Sequence, residues 1–116
     1  MKLPQINGDE SPVEFELLLA QVRTASDLLK ALSHETRLLI LCLLAESEKS
    51  VSELEQIMHL PQAAVSQQLA RLRFNRLVTT RRDGHCIYYS IASREVSSAI
   101  ATLQDLFCAP VRGERE

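Results

Sequence analysis

Apolar residues recur every three or four positions over long parts of the chain, and that spacing is typical of amphipathic helices. Helices are predicted at about 12–32, 34–45, 51–58, 62–74 and 94–108. The second of them is apolar almost all round, which predicts a central buried helix. Ser followed by Glu three residues later forms a capping-box signature at the start of the first and third helices.

The period of the pattern changes after residue 76. Residues 77–82 and 85–91 are rich in β-branched and aromatic side chains, which predicts two strands, and Asp83-Gly84 between them is a hairpin-turn signal. The polar stretch 46–49 is predicted to be a loop.

The order of these elements predicts a fold class. Two short helices, 51–58 and 62–74, are joined by a tight turn, which is the pattern of a helix-turn-helix. A β-hairpin directly after such a pair forms a wing. We therefore predict a mainly α winged helix-turn-helix domain over 11–109, with flexible tails at 1–10 and 110–116.

The first predicted helix has an apolar stripe about five turns long, and a domain this short gains little by covering such a long helix with its own residues. Part of this stripe is therefore expected to face a partner subunit. It comprises Phe15, Leu18, Leu19, Val22, Ala25, Leu28, Leu29 and Leu32.

Length and composition fit one globular domain. The chain has 116 residues, of which 46% are apolar and 24% charged. The N-terminus lacks the apolar segment of a signal peptide, and no apolar run reaches the ~20 residues that span a bilayer. We therefore expect a cytoplasmic protein that does not bind membranes, whose three separated cysteines form no structural disulfide framework.

Charge is distributed unevenly along the chain. The net charge is −2, but residues 62–85 contain five arginines and one acid, so this segment is +4 and the rest −6. A basic segment on an acidic body is typical of a nucleic-acid site.

The fourth predicted helix carries the side chains that read DNA bases. The major groove, about 12 Å wide, admits one helix; Gln can pair with adenine, and Ala can contact a thymine methyl group. Arginines further along the helix suit phosphates, and arginines in a wing suit a narrow minor groove. The residues predicted to contact duplex DNA are Gln62, Ala63, Ala64, Ser66, Gln67, Gln68, Arg71, Arg73, Arg81, Arg82 and His85.

Several motifs together resemble the ArsR family of repressors over residues 25–109. They are KALSH at 30–34, VSQQLARLR at 65–73 and LVTTRRDG at 77–84. The resemblance implies a homodimer joined through its first and last helices, which an inducer or a modification releases from an operator. Glu35 departs from the family pattern, which has Pro there, but Glu is also suited to a helix start.

The metal sites of that family are missing from this sequence. One needs a cysteine pair on the short third helix, where residues 51–56 contain none. Another needs Asp or His together with His or Glu along the last helix, which has Asp105 but no His. His34, His59 and His85 show no ligand spacing. We interpret them as a capping or packing residue, a turn residue and a wing residue, and predict no metal site.

Cys42 and Cys108, in their local contexts LCL and LFCA, resemble the persulfide-sensing branch of the family, the BigR and SqrR type. The resemblance implies that reactive sulfur species join the two cysteines through a disulfide or polysulfide bridge. The bridge would then lower DNA affinity and release genes for sulfide oxidation or detoxification. Cys42 alone would also fit an inert core position, and Cys86 does not match the pair.

Other functions stay open at this point. The same repressor could respond to a metal, to haem as a cofactor, or to a general oxidant. A protein-interaction module and a small enzyme with a Cys/His pair are alternatives of another class. No motif supplies a base near a nucleophile, so we predict that the chain is not an enzyme.

Overall fold

The computed structural model describes residues 8–9 and 11–108, so the predicted tails lie almost wholly outside the described residues. The elements follow the predicted winged-helix order, with one extra short strand. In chain order they are α1 (Pro12–Leu32), α2 (Glu35–Glu46), β1 (Lys49–Ser50), α3 (Val51–Met58), α4 (Gln62–Phe74), β2 (Val78–Asp83), β3 (Cys86–Ile91) and α5 (Arg94–Phe107).

Side chains cap the starts of four helices, because the first backbone N–H groups of a helix have no partner within it. Both predicted capping boxes are confirmed. The Ser11 hydroxyl accepts from Glu14 N–H at 3.1 Å, and Ser50 accepts from Glu53 N–H at 3.1 Å. His34 caps α2, where its Nδ1 accepts from Thr36 N–H at 3.2 Å, and Ser93 caps α5.

The strands form one antiparallel sheet in the order β1-β3-β2. Lys49 pairs with Tyr89, so the prediction of a loop over 46–49 is wrong for that residue. The hairpin prediction is right, but its turn is displaced by one residue. Asp83 pairs with Cys86, which leaves Gly84 and His85 as the turn, and the φ of +65° at Gly84 suits a glycine.

The core lies between α2, α3, α4 and α5. α4 buries Val65, Leu69 and Leu72 as predicted. α2 is central as predicted, with Ile40, Leu41 and Leu44 buried, although Leu39 on the same helix is 45% exposed. The side chains with no exposed surface are Ile40, Leu41, Leu54, Val65, Leu69, Leu72 and Ile100.

α1 packs on this core through its last turns only, where Ala31 and Leu32 are buried. Further towards its start, Phe15, Val22 and Leu29 are exposed by 53%, 49% and 65%. They are spaced seven residues apart and therefore share one face of the helix. Among the residues that the structure describes, this face of α1 thus has no apolar partner that covers it.

α5 shows a similar division. Val96 and Ile100 are buried in the core, whereas Leu106 and Phe107 near the end of the helix are exposed by 67% and 77%. Within the described ranges, no helix is both long and apolar enough to cross a membrane.

Candidate nucleic-acid interface and cysteine pair

The turn between α3 and α4 fixes the direction of α4. His59 ends α3 in the left-handed conformation, with a φ of 57°, and its N–H donates to the Glu55 carbonyl at 2.9 Å. Pro61 then stands at the N-cap of α4 in an extended conformation. The predicted helix-turn-helix is present, and α4 is its second helix.

α4 turns polar and basic side chains outward because Val65, Leu69 and Leu72 hold its other face in the core. Among the residues predicted to contact DNA, the exposed ones on this helix are Gln62, Ala63, Gln67, Arg71 and Arg73. Ala64, Ser66 and Gln68 are half-buried at the edges of that face. The helix thus presents an accessible polar surface with arginines in its last turns.

Arg37 of α2 joins the end of α1 to this helix. Its Nε donates to the Ala31 carbonyl at 3.0 Å, and its Nη2 donates to the Lys30 carbonyl at 3.3 Å. Its Nη1 donates to Oε1 of Gln68 at 3.2 Å. Arg37 is not among the residues predicted to contact DNA, because it lies 31 positions from Gln68 and no local pattern indicates their contact.

The wing carries one paired arginine and one unpaired arginine. Arg81 forms two hydrogen bonds with the Glu48 carboxylate, at 2.6 and 3.1 Å, and lies 4.8 Å over the ring of Tyr88. The hydrogen bond from Arg81 lowers the pKa of Glu48. Arg82 is exposed without a carboxylate partner in the described part of the chain, and His85 is exposed at the turn.

The pairing of Arg81 suggests a first test. We expect Glu48→Gln to raise DNA affinity, because it removes the carboxylate 2.6 Å from Arg81 and leaves only the longer ion pair with Asp83, at 3.9 Å, so that the guanidinium meets a phosphate more readily. The logarithm of the affinity should also fall more steeply with the logarithm of salt concentration, by about 0.9 for each added phosphate contact. Mobility-shift titrations at several salt concentrations measure both quantities.

Glu16→Gln is the matched control, because Glu16 is an exposed acid on α1 and its substitution changes the net charge equally. An equal gain in both variants would mean that general charge, and not the release of Arg81, raises the affinity.

The fold places Cys42 of α2 and Cys108, at the end of α5, near enough for the charge of one to act on the other. Cys42 is half-buried, Cys108 is exposed, and both thiols are free. Burial raises the pKa of Cys42, and the charge of the neighbouring Cys108 raises it further, whereas a hydrogen bond with Gln104 acts in the opposite direction. The two thiols are therefore close enough to interact, although 65 residues separate them in sequence.

Cys86 lies elsewhere, exposed on β3 of the wing and paired in register with Asp83. In the part of the chain that the structure describes, no three His, Cys, Asp or Glu side chains form a group that could hold a metal ion.

Comparison with known proteins identifies the family. The family described as "Bacterial regulatory protein, arsR family" matches residues 34–80. The transcriptional activator HlyU of Vibrio cholerae is 39% identical over 106 residues, which cover 91% of this chain and 96% of HlyU. HlyU is named as a transcription regulator, which supports the prediction that this chain is not an enzyme.

Solved structures share the fold. Reduced HlyU superposes with a TM-score of 0.76 at 41% identity, over 80% of this chain and 98% of that one. The repressor BigR of Xylella fastidiosa gives 0.71 at 37% identity, over 86% and 99%. The homodimeric DNA-binding domain Mb0332 of Mycobacterium bovis gives 0.70 at 29% identity, over 87% and 89%. This chain belongs to the ArsR family of bacterial regulatory proteins and is a transcription regulator with a winged helix-turn-helix fold.

Proposed function

We propose that the protein is a homodimeric repressor that leaves its operator when reactive sulfur species bridge Cys42 and Cys108. The observation that carries the proposal is the interaction between the charges of these two free thiols, on two helices that pack against each other, α2 and α5. The released genes would serve sulfide oxidation or detoxification. The similarity to BigR, named as a transcriptional repressor, supports the repressor role.

The DNA contacts follow from the exposed face of α4. Its first turns carry Gln62, Ala63 and Gln67, which suit base edges, and its last turns carry Arg71 and Arg73, which suit phosphates. Arg82 and His85 extend this basic surface to the wing. We therefore place α4 in the major groove and the wing beside it.

The dimer follows from the apolar residues that the chain leaves exposed. Phe15, Val22 and Leu29 form a seam along α1 with the seven-residue spacing of paired helices. Leu106 and Phe107 extend the apolar surface at the end of α5, exposed by 67% and 77%. The structurally similar domain Mb0332 is homodimeric, which supports a homodimer for this chain as well.

The bridging chemistry needs only persulfide as oxidant. The thiolate of Cys108, the more exposed cysteine, attacks the outer sulfur of a low-molecular-weight persulfide, takes that sulfur and releases the parent thiol. The Cys42 thiolate then attacks Sγ of Cys108, and hydrogen sulfide leaves as the disulfide forms. If both cysteines first acquire a sulfur, one persulfide displaces hydrogen sulfide from the other and a trisulfide forms.

A bridge at this position is expected to change the distance between the two α4 helices of the dimer. α2 packs against both α4 and α5, and α5 is a proposed dimer helix. A covalent link between α2 and the end of α5 therefore ties each DNA-reading unit to the dimer interface in a new geometry. Two half-sites lie about 34–36 Å apart on DNA, so a small change in helix separation lowers affinity.

Mass spectrometry of the intact protein tests the inducer. After treatment with persulfide, we expect a product that has lost two hydrogens, with or without one added sulfur atom, and whose cross-linked peptides contain Cys42 and Cys108. The persulfide-treated protein should also lose its operator shift, and a reductant should restore it.

Parallel treatments with peroxide and with a disulfide reagent distinguish persulfide from other possible inducers. Equal bridging and equal release by all three reagents would replace the sulfur-specific role by a general oxidant response. If the cysteines instead retained a metal or haem stoichiometrically, and the protein left its operator only with that ligand bound, the ligand would be the inducer.

A further inference from the structure

Arg37 lies on α2 and donates a hydrogen bond to the side chain of Gln68 on α4. We infer that Arg37 is a positioning residue that turns the Gln68 amide so that its N–H groups face the DNA. Gln68 then favours guanine, with acceptors at N7 and O6, or thymine, with an acceptor at O4, over adenine, because the N6 amino donor of adenine stands beside its N7 acceptor and the two-bond contact of glutamine with adenine needs the amide oxygen as well. This inference rests on the proposed placement of α4 in the major groove.

Two main-chain contacts with the end of α1 fix the guanidinium of Arg37. The carbonyls of Lys30 and Ala31 accept two of its N–H groups, at 3.3 and 3.0 Å. These carbonyls belong to the last turn of α1, where main-chain oxygens are left over from the regular helical hydrogen bonds, and the Lys30 carbonyl also accepts from the Ser33 hydroxyl at 2.7 Å. The third donor, Nη1, is thereby held against Gln68.

The orientation of the amide follows from the chemistry of arginine. A guanidinium has five N–H donors and no acceptor, so the atom of Gln68 that faces it has to be oxygen. The amide nitrogen, with its two N–H groups, therefore points away from Arg37. A two-bond contact with adenine needs the oxygen and the nitrogen side by side against the base edge, and the tether to Arg37 turns that oxygen away.

The neighbouring Gln67 provides the contrast. It is exposed, whereas Gln68 is half-buried, and no hydrogen bond holds its amide among the described residues. Gln67 is thus free to present both atoms to adenine. The two adjacent glutamines are predicted to select different bases, although their side chains are chemically identical.

Selection from a library of random duplexes with the full chain tests the inference. The wild type should select guanine or thymine at the position contacted by Gln68. Gln68→Glu keeps an oxygen for Arg37 but presents a second oxygen outward, so the selected base at this position should change to cytosine, whose amino group donates. The preference at this position should be about two- to tenfold, the effect of one hydrogen bond.

Arg37→Met separates positioning from a merely structural role. The variant keeps an unbranched side chain but frees the Gln68 amide, so adenine should become acceptable at that one position while the others keep their preferences. A uniform loss of affinity with an unchanged preference would overturn the inference, as would selection of adenine there by the wild type.

A measurement on the wild type covers the case in which Arg37→Met does not fold. The nitrogen-15 order parameter of the Gln68 side-chain amide should exceed that of Gln67, because only Gln68 is tethered. Equal values would overturn the inference.

Gln67→Met distinguishes failure of this inference from failure of the proposed function. If it changes one selected base while Gln68→Glu changes none, the placement of α4 stands and the role of Gln68 fails. If neither substitution changes the selected sequence, both fail together.

Discussion

Replacing either Cys42 or Cys108 by serine is expected to abolish release from the operator by persulfide. Each variant retains one thiol of the pair, which can take up a sulfur but lacks its partner thiol to close the bridge, while the third cysteine, Cys86, lies apart on the wing. Operator affinity without persulfide should stay within about threefold of the wild type, because neither side chain lies on α4 or the wing and conservative changes away from a binding surface alter free energies by about 0.5 kcal/mol. Mobility-shift titrations with and without persulfide measure both effects.

Cys86→Ser is the matched control. It makes the same chemical change at an exposed cysteine on the wing, and it should dissociate on persulfide treatment as the wild type does. Normal release of both Cys42→Ser and Cys108→Ser would show that the proposed bridge is not the signal. Loss of release in Cys86→Ser would move the sensing thiol to the wing.

The rate of bridging should depend on pH in a definite direction. Burial raises the pKa of Cys42, with a further contribution from Cys108. A raised pKa means that less Cys42 thiolate is present at neutral pH than for an ordinary cysteine, and that this fraction grows as pH increases. Since the thiolate is the nucleophile, bridge closure should accelerate with increasing pH until Cys42 is fully ionised, as timed mass spectrometry would show.

The sequence was sufficient for features that depend on neighbouring residues. The capping boxes at Ser11 and Ser50 and the buried face of α4 are local patterns, and the structure confirms them. The strand β1 could not be predicted because its two residues are a strand only through pairing with Tyr88 and Tyr89, far along the chain. Periodicity in a short segment carries no information about such a partner.

The candidate site shows the same limit. The sequence placed Gln68 and Arg81 on the DNA-binding surface by residue type alone. It could not indicate that Arg37 holds Gln68 or that Glu48 holds Arg81, because these contacts span 31 and 33 positions. An apolar residue at helical spacing, such as Phe107, is consistent either with the core or with a partner subunit, and the pattern does not distinguish the two.

The exposed seam of α1 is the place where a single substitution is expected to affect the proposed dimer most. Val22→Glu is expected to convert the dimer to monomers and to lower affinity for a two-half-site operator more than about 100-fold. A buried valine contributes about 1.5–3 kcal/mol, each dimer contains two copies, and a carboxylate in an apolar interface adds a desolvation penalty. Since about 1.4 kcal/mol changes an equilibrium tenfold, the loss exceeds two powers of ten.

The monomer should nevertheless stay folded, because α1 packs on its own core through Leu28, Ala31 and Leu32 near its end, away from Val22. Circular dichroism should therefore be close to wild type, while light scattering reports half the mass. Ala20→Glu adds the same charge at an exposed position outside the seam and should remain dimeric with full affinity. If Val22→Glu stays dimeric at micromolar concentration, the subunits meet elsewhere, and the exposed stripe of α1 has another role. If both variants dissociate, added negative charge rather than the lost apolar contact separates the subunits.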